Sequence, residues 1–145
     1  MLAGDTLRSA ADTAAPMVAV SLVHRRGYFR QHLDSVGQQT ESDVQWTPET
    51  LLPSAQKVVN ITMQGRKISI CAWRFDVVGV AGHVIPVFLL DTDLEGNDLY
   101  DRRLTDHLYG GDTYYRLCQE TVLGLGGVAL LKELGVKPDV YHMNE

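Results

Sequence analysis

Residues Thr113–Glu145 read TYYRLCQETVLGLGGVALLKELGVKPDVYHMNE, and this stretch decides the fold. Helical sequence runs from about Thr113 to Leu134 and is stopped by the turn Gly135-Val136-Lys137-Pro138. A short strand-like run, Asp139–Met143, follows. In open α/β sheets, ligands bind outside the carboxyl ends of the strands. Asn144 and Glu145 therefore fall where a site is expected. The loop and helix that should follow them are absent, so residues 1–145 are expected to be a single incomplete domain. From Arg116 to Leu134 the helical sequence is apolar on most faces, with Leu117, Val122, Leu123, Leu125, Val128, Leu130, Leu131 and Leu134. A helix apolar all round is a buried one, and a chain this short has little else to bury it.

Working back along the chain, strand signals alternate with turns. Val84–Leu90 reads as a strand, and its Pro86 suggests an edge or a strand start. Lys57–Met63 and Lys67–Val78 read as a hairpin about Gln64-Gly65-Arg66, with Ile68, Ile70, Ala72 and Phe75 sharing one face. Gly79–His83 is a second turn. Asp34–Glu49 is polar and reads as loop. Met17–Val23 is a continuous apolar run of the kind found in buried central strands. Thr6–Thr13, ended by Pro16, is helical. Arg102–His107 is a short helix within an otherwise irregular segment.

The bulk numbers restrict function. A net charge of −5 argues against nucleic-acid binding. Seven acids and two arginines crowd Asp91–Asp112, which alone carries the equivalent of the whole acidic excess. Cys71 and Cys118 lie on apolar segments without CxxC spacing, so a reduced, cytoplasmic pair is expected. The opening Met1–Asp5 has no signal-peptide character, and no apolar run nears ~20 residues, so no membrane partner is expected.

Most chemical-looking motifs have plain readings. Gly124-Leu125-Gly126-Gly127 lies inside a helix and is not GxGxxG, so close packing through small residues is expected rather than a phosphate loop. Asp91 and Asp93 alternate on an extended chain and need not converge on one cation, which suits a solvated strand end. His142 and Glu145 would face opposite sides of a strand, unlike a zinc motif. His24, Arg25, Arg26 and Arg30 form a basic cluster around Gly27, suited to an anion or to the acidic loop. Arg116 and Glu120 stand one helical turn apart and read as an ion pair. Lys57, Lys67, Lys132 and Lys137 show no context for Schiff-base chemistry.

A specific function comes only from resemblance. Leu2-Ala3-Gly4-Asp5-x-Leu7-x-Ser9-Ala10 and Gly27-Tyr28-Phe29-Arg30-Gln31 resemble the N-terminal domain of bacterial α-glucan (glycogen or maltodextrin) phosphorylases. So do Leu89–Asp93, the run Leu104-Thr105-Asp106-x-Leu108-Tyr109-Gly110-Gly111-Asp112, and Arg116-Leu117-x-Gln119-Glu120 with Gly124-x-Gly126-Gly127. Pro138-Asp139-Val140-x-His142-x-Asn144-Glu145 completes the order.

The resemblance implies an α/β fold: a partial Rossmann-like N-terminal domain of a two-domain glycosyltransferase, with a β-hairpin insertion. It implies phosphorolysis of terminal α-1,4-linked glucose to glucose 1-phosphate, with α-1,4-glucan and phosphate as the partners of the full-length enzyme. Pyridoxal phosphate is implied there, bound through a lysine of the C-terminal half, and none is expected for this chain alone. Tyr109–Asp112 matches the loop across the catalytic cleft, and Asp112, Asn144 and Glu145 match substrate-facing positions. No residue is assigned as nucleophile or general acid. The family's glycine-rich loop before Met1, the histidine beyond Glu145 and the cofactor domain are missing. The isolated chain is therefore expected to be inactive. The alternatives are a non-catalytic glucan- or phosphosugar-binding module, with Tyr109, Tyr114 and Tyr115 stacking on sugar rings, and an oligomerisation piece that self-associates through Leu117–Leu134.

Overall fold

The computed structural model describes residues 2–108 and 110–143. Among them the strands form a four-stranded sheet and a separate two-stranded hairpin. The sheet order is β1 (Ala19–Leu22), β6 (Val84–Asp91), β5 (Arg66–Val78) and β4 (Ser54–Met63). The β1–β6 pair is parallel and the other two are antiparallel, so the chain is mixed α/β with a mixed sheet.

The β4–β5 hairpin follows from its turn. Gln64 (φ 50°) and Gly65 (φ 76°) both adopt left-handed backbone, the two-residue geometry whose twist matches the flanking strands. Period-two alternation then sends Ile68, Ile70 and Ala72 to one face, where all three are buried. Phe75 lies on the other face and is 51% exposed, contrary to the sequence expectation, because an odd step separates it from Ala72. Pro86 marks neither an edge nor a strand start: it is the third residue of β6, which lies between β1 and β5, and the proline is tolerated there because β1 pairs with β6 only from Val87 onward.

A nearly continuous helical stretch covers the buried face: α4 (Thr113–Thr121), a π-helical segment (Val122–Gly126) and α5 (Gly127–Glu133). Glycines let it lie close. A Cβ on Gly126 would sit 2.5 Å from Ile70 Cδ1, and one on Gly127 3.2 Å from Val20 Cγ1. The small-residue reading of this motif therefore holds. Val122 and Leu130 are fully buried against Ile68, Ile70 and Leu90, and each such side chain stabilises the fold by about 1.5–3 kcal/mol. The helix is not apolar-buried all round, however. Leu117, Leu125 and Val128 remain exposed because the sheet touches one side only. On the opposite sheet face α1 (Leu2–Asp12) packs Ala10 and Ala11 on Ile85.

Four further expectations are corrected. The Met17–Val23 run gives only the four-residue β1, an edge strand among the described elements rather than a central one. The polar segment after Arg30 is not all loop: β2 (Arg30–Leu33) and β3 (Gln39–Ser42) form an antiparallel hairpin, and α2 (Pro48–Leu51) follows. Both hairpin strands are exposed throughout, so they lack the apolar alternation that reveals a strand. Residues 139–143 form no strand, for no strand among the described residues pairs with them. Arg116 and Glu120 do not reach ion-pair distance.

Candidate functional site

The parallel strands β1 and β6 end side by side, and their carboxyl ends carry a network of charge. Just past β1 stands Arg25, and the last residue of β6 is Asp91. Arg25 Nε donates to both Asp91 oxygens (3.2 and 3.0 Å), and Nη2 donates to Oδ2 at 2.6 Å. Trp73 Nε1 (2.8 Å), Thr105 Oγ1 (3.2 Å) and the Asp93 backbone N–H (3.0 Å) complete the shell. Asp91 is 0% exposed. This corrects the expectation of a solvated strand end. Asp91 and Asp93 do converge on one cation, the Arg25 guanidinium, with Asp93 at 3.7 Å.

Burial alone would raise the Asp91 carboxyl. The hydrogen bonds from Arg25, Trp73 and Asp93 outweigh burial and hold it below its ordinary value. Glu49 on α2 grips the far side of Arg25. Asp93 accepts from Arg102 Nε at 2.7 Å, which ties in α3 (Leu99–Arg102). Every charge in this network is already partnered, so it is architecture rather than a ligand site. Nearby, Cys71 has its thiol pushed up to about 12, first by burial and then by Asp91, so it is no nucleophile at neutral pH.

The loop that follows is pinned to the network. Gln119 Nε2, buried on α4, donates to Leu104 O (2.8 Å) and His107 O (2.9 Å). Leu108 N–H donates to Gly27 O at 3.0 Å, so the segment after β1 and the segment before α4 are held together. Gly111 has φ 72°, and a Cβ there would meet the Tyr115 ring at 2.5 Å, so the bend needs glycine. Asp112 then caps α4, its Oδ1 accepting from Tyr115 N–H at 2.8 Å. Its Oδ2 has no protein partner among the described residues.

Beside this loop opens a cavity of about 480 Å³ lined by Arg26, Arg103, Asp106, His107, Gly111 and Tyr115. Arg26 Nε stands 3.4 Å from Asp106. His24, at φ 47°, has an Nδ1 buried without a hydrogen-bond partner among the described residues. Burial holds its ring below the ordinary imidazole value, against an opposing interaction with the His107 backbone.

Of the sequence-based candidates, Asp112 is placed at the rim of this loop, while Asn144, Glu145 and Tyr109 lie outside the described residues. Tyr114 and Tyr115 have structural partners: Tyr114 OH donates to Gln64 Oε1 and Tyr115 OH to Arg103 O, both at 2.6 Å. The basic cluster divides. Arg25 and Arg26 meet the acidic segment as expected, and Arg30 projects from the exposed hairpin. Thr105 and Gln119 entered only as part of the family-like blocks, without a role, and Trp73 was missed, its one signal being a ring N–H set in an otherwise apolar strand. No group of three or more His, Cys, Asp or Glu is placed to hold a metal among the described residues. No described helix is long and apolar enough to cross a membrane.

The residues present do not fit a Schiff-base cofactor. Lys67, Lys132 and Lys137 are exposed, and Lys57 donates to Glu133 at 3.1 Å on the surface. No lysine lines the loop cavity.

Fold and site together define a mixed-sheet α/β segment that displays a glycine-bent loop at the carboxyl ends of its parallel strands. The chain is a relative of the α-glucan phosphorylases over its whole length. It is 34% identical to the maltodextrin phosphorylase of Thermococcus litoralis and 38% identical to the glycogen phosphorylase of Mycobacterium tuberculosis, with all of this chain and 18% of each relative covered. It is 31% identical to the glycogen phosphorylase of Aquifex aeolicus, over 99% of the chain and 21% of that protein. The chain thus spans about a fifth of the length of these relatives. No family model matches it.

Proposed function

We propose that this chain is one wall of the glucan cleft of an α-glucan phosphorylase, part of a larger Rossmann-like domain in a two-domain glycosyltransferase. The whole enzyme would split the terminal α-1,4-linked glucose of a glucan with phosphate, giving glucose 1-phosphate. The observation that carries this reading is the Gly110–Asp112 loop, fixed at the carboxyl ends of the parallel strands and related in sequence to the phosphorylases.

In this reading Asp112 faces the sugar. Its Oδ1 is spent on the α4 cap, which fixes the carboxylate, and Oδ2 accepts a sugar hydroxyl. Gln119 keeps the loop root in place, and preorganisation of this kind lowers the cost of binding. Asn144 and Glu145 are proposed on the same cleft. Pyridoxal phosphate would be held by the cofactor half of the enzyme, whose positioning and electrostatics the cleft requires. Alone, the chain is expected to release no glucose 1-phosphate.

The test is a transplant. The segment replaces its counterpart in the Thermococcus litoralis maltodextrin phosphorylase, and glucose 1-phosphate release from maltoheptaose is measured with pyridoxal phosphate present. An active chimera supports the reading. A folded, cofactor-loaded but inactive chimera overturns it.

A further inference from the structure

The β4–β5 hairpin is longer than the sheet requires. Cys71 on β5 pairs with Asp91, the last residue of β6, so residues 66–70 run on past β6 and pair with β4 alone among the described strands. At about 3.4 Å per residue, this arm reaches roughly 17 Å beyond the Cys71–Asp91 pair. It projects from the carboxyl end of β6, the side on which the Gly110–Asp112 loop stands.

A strand arm of this kind leaves backbone groups unpaired along its edge. Here the acidic segment takes that place. Buried Asn97 imitates a strand: its Oδ1 accepts from Ser69 N–H at 2.8 Å, and its Nδ2 donates to Ser69 O at 2.7 Å. Nearer the tip, Arg66 grips both oxygens of Asp101 on α3, Nε to Oδ2 and Nη2 to Oδ1, each at 3.1 Å. At the turn itself, Gln64 Oε1 accepts from the Tyr114 hydroxyl on α4 at 2.6 Å.

The three ties fall on both sides of the loop. Asn97 and Asp101 lie on the chain that enters it, and Tyr114 lies on the helix that leaves it. Asp101 has no part in the cleft-wall reading, yet its side chain is 2% exposed and Arg66 is its one ion-pair partner among the described residues. Without Arg66 that carboxylate stands buried and uncompensated, so α3 must shift or admit water. Such a shift has a packed route to Asp112. The Tyr100 ring of α3 stacks on Tyr114 (centroids 6.2 Å apart) and meets Tyr115 edge-on (6.5 Å), and Tyr115 N–H donates to Asp112 Oδ1.

We propose that the hairpin tip is a positioning element for the loop: Arg66, acting through Asp101, and Gln64, acting through Tyr114, fix where the Asp112 carboxylate stands. Neither residue touches substrate. The consequence for catalysis rests on the cleft-wall reading, whereas the coupling of tip to loop does not.

Hydrogen exchange on the 145-residue chain reads that coupling directly. The Tyr115 amide, bonded to Asp112, and the Leu108 amide, bonded to Gly27 O, report the loop, and the Val23 amide, bonded to Leu90 O, reports the sheet. Arg66→Ala should speed Tyr115 and Leu108 at least about fivefold relative to Val23. Tyr114→Phe keeps the ring and removes one hydroxyl. It should speed Tyr115 at least about twofold relative to Val23, and it keeps the proposal testable if Arg66→Ala fails to fold. Arg74→Ala breaks the exposed Arg74–Asp76 pair farther along the same strand and should leave the ratios unchanged.

In the maltodextrin phosphorylase chimera, Arg66→Ala should lower kcat/KM for maltoheptaose at least about threefold, and by less than about 1.5-fold when Asp112→Asn is already present. Loop and sheet amides that accelerate together, or equal losses in the two backgrounds, would make the tip a general stabiliser and overturn the proposal. Loop amides that ignore both Arg66→Ala and Tyr114→Phe would overturn it as well. Exchange is read without substrate, so it judges the coupling even where the chimera is inactive. An active chimera that depends on Asp112 but not on Arg66 would overturn the positioning role and leave the cleft-wall reading standing.

Discussion

Asp91 and Asp112 are the same residue type in one acidic segment, and the structure uses them in opposite ways. Asp91 is fully buried and saturated by Arg25, Trp73, Thr105 and the Asp93 amide. Asp112 is exposed, gives one oxygen to a helix cap and leaves the other without a partner among the described residues. The contrast teaches that an acid at a strand's carboxyl end is not thereby a ligand group. What decides is how many of its lone pairs the protein itself has taken.

The contrast has measurable consequences, the largest on the buried side. Asp91→Ala leaves Arg25 with its main partner gone and should cost about 3–5 kcal/mol in urea unfolding. A loss under about 1 kcal/mol would mean that Asp93 and Glu49 can satisfy Arg25 unaided.

The glycines of the covering helix give a smaller effect of mixed sign. Gly126→Ala presses on Ile70 and should cost about 1–3 kcal/mol. Gly124→Ala meets nothing within 4 Å and should stabilise by up to about 1 kcal/mol through helix propensity. Equal effects at the two sites would contradict the close approach of helix and sheet.

Asp112→Ala should cost about 1 kcal/mol, the worth of an exposed cap. A cost as large as that of Asp91→Ala would erase the distinction between the two acids.

Acid titration separates them again. Asp91 has a folded-state pKa below its unfolded value of 3.8, so its stabilisation is complete above that value and is lost as pH falls through the folded one. His24 also has a lowered folded-state pKa, so the unfolded chain takes up the proton first. Its contribution is complete above 6.5 and declines as pH falls below that value. Thermal melts should therefore weaken in two stages, the first removed by His24→Gln and the second by Asp91→Asn.

How much of this was legible in the sequence follows from where each signal resides. Local signals were read well: Gln64-Gly65 for the hairpin, Ile68-x-Ile70-x-Ala72 for the buried face, and Gly126-Gly127 for close packing. Signals that depend on a partner were not. Residues 139–143 have strand composition but no pairing strand among the described residues, and β2–β3 is a hairpin without an apolar face. Asp91 after the apolar Val87–Leu90 looked like a chain leaving the core. Only the fold brings Arg25 and Trp73 against it. The phosphorylase kinship rested on ordered motifs, and relatives aligned along the whole chain agree with it.

The central claim is that the carboxylate left open is the one that meets substrate. It is tested most directly by the activity of the maltodextrin phosphorylase chimera carrying Asp112→Asn. The account predicts a folded, cofactor-loaded enzyme, stable to within about 1 kcal/mol, whose kcat/KM for maltoheptaose falls at least about tenfold, as for loss of a charge-assisted hydrogen bond. Undiminished activity in that variant would contradict it.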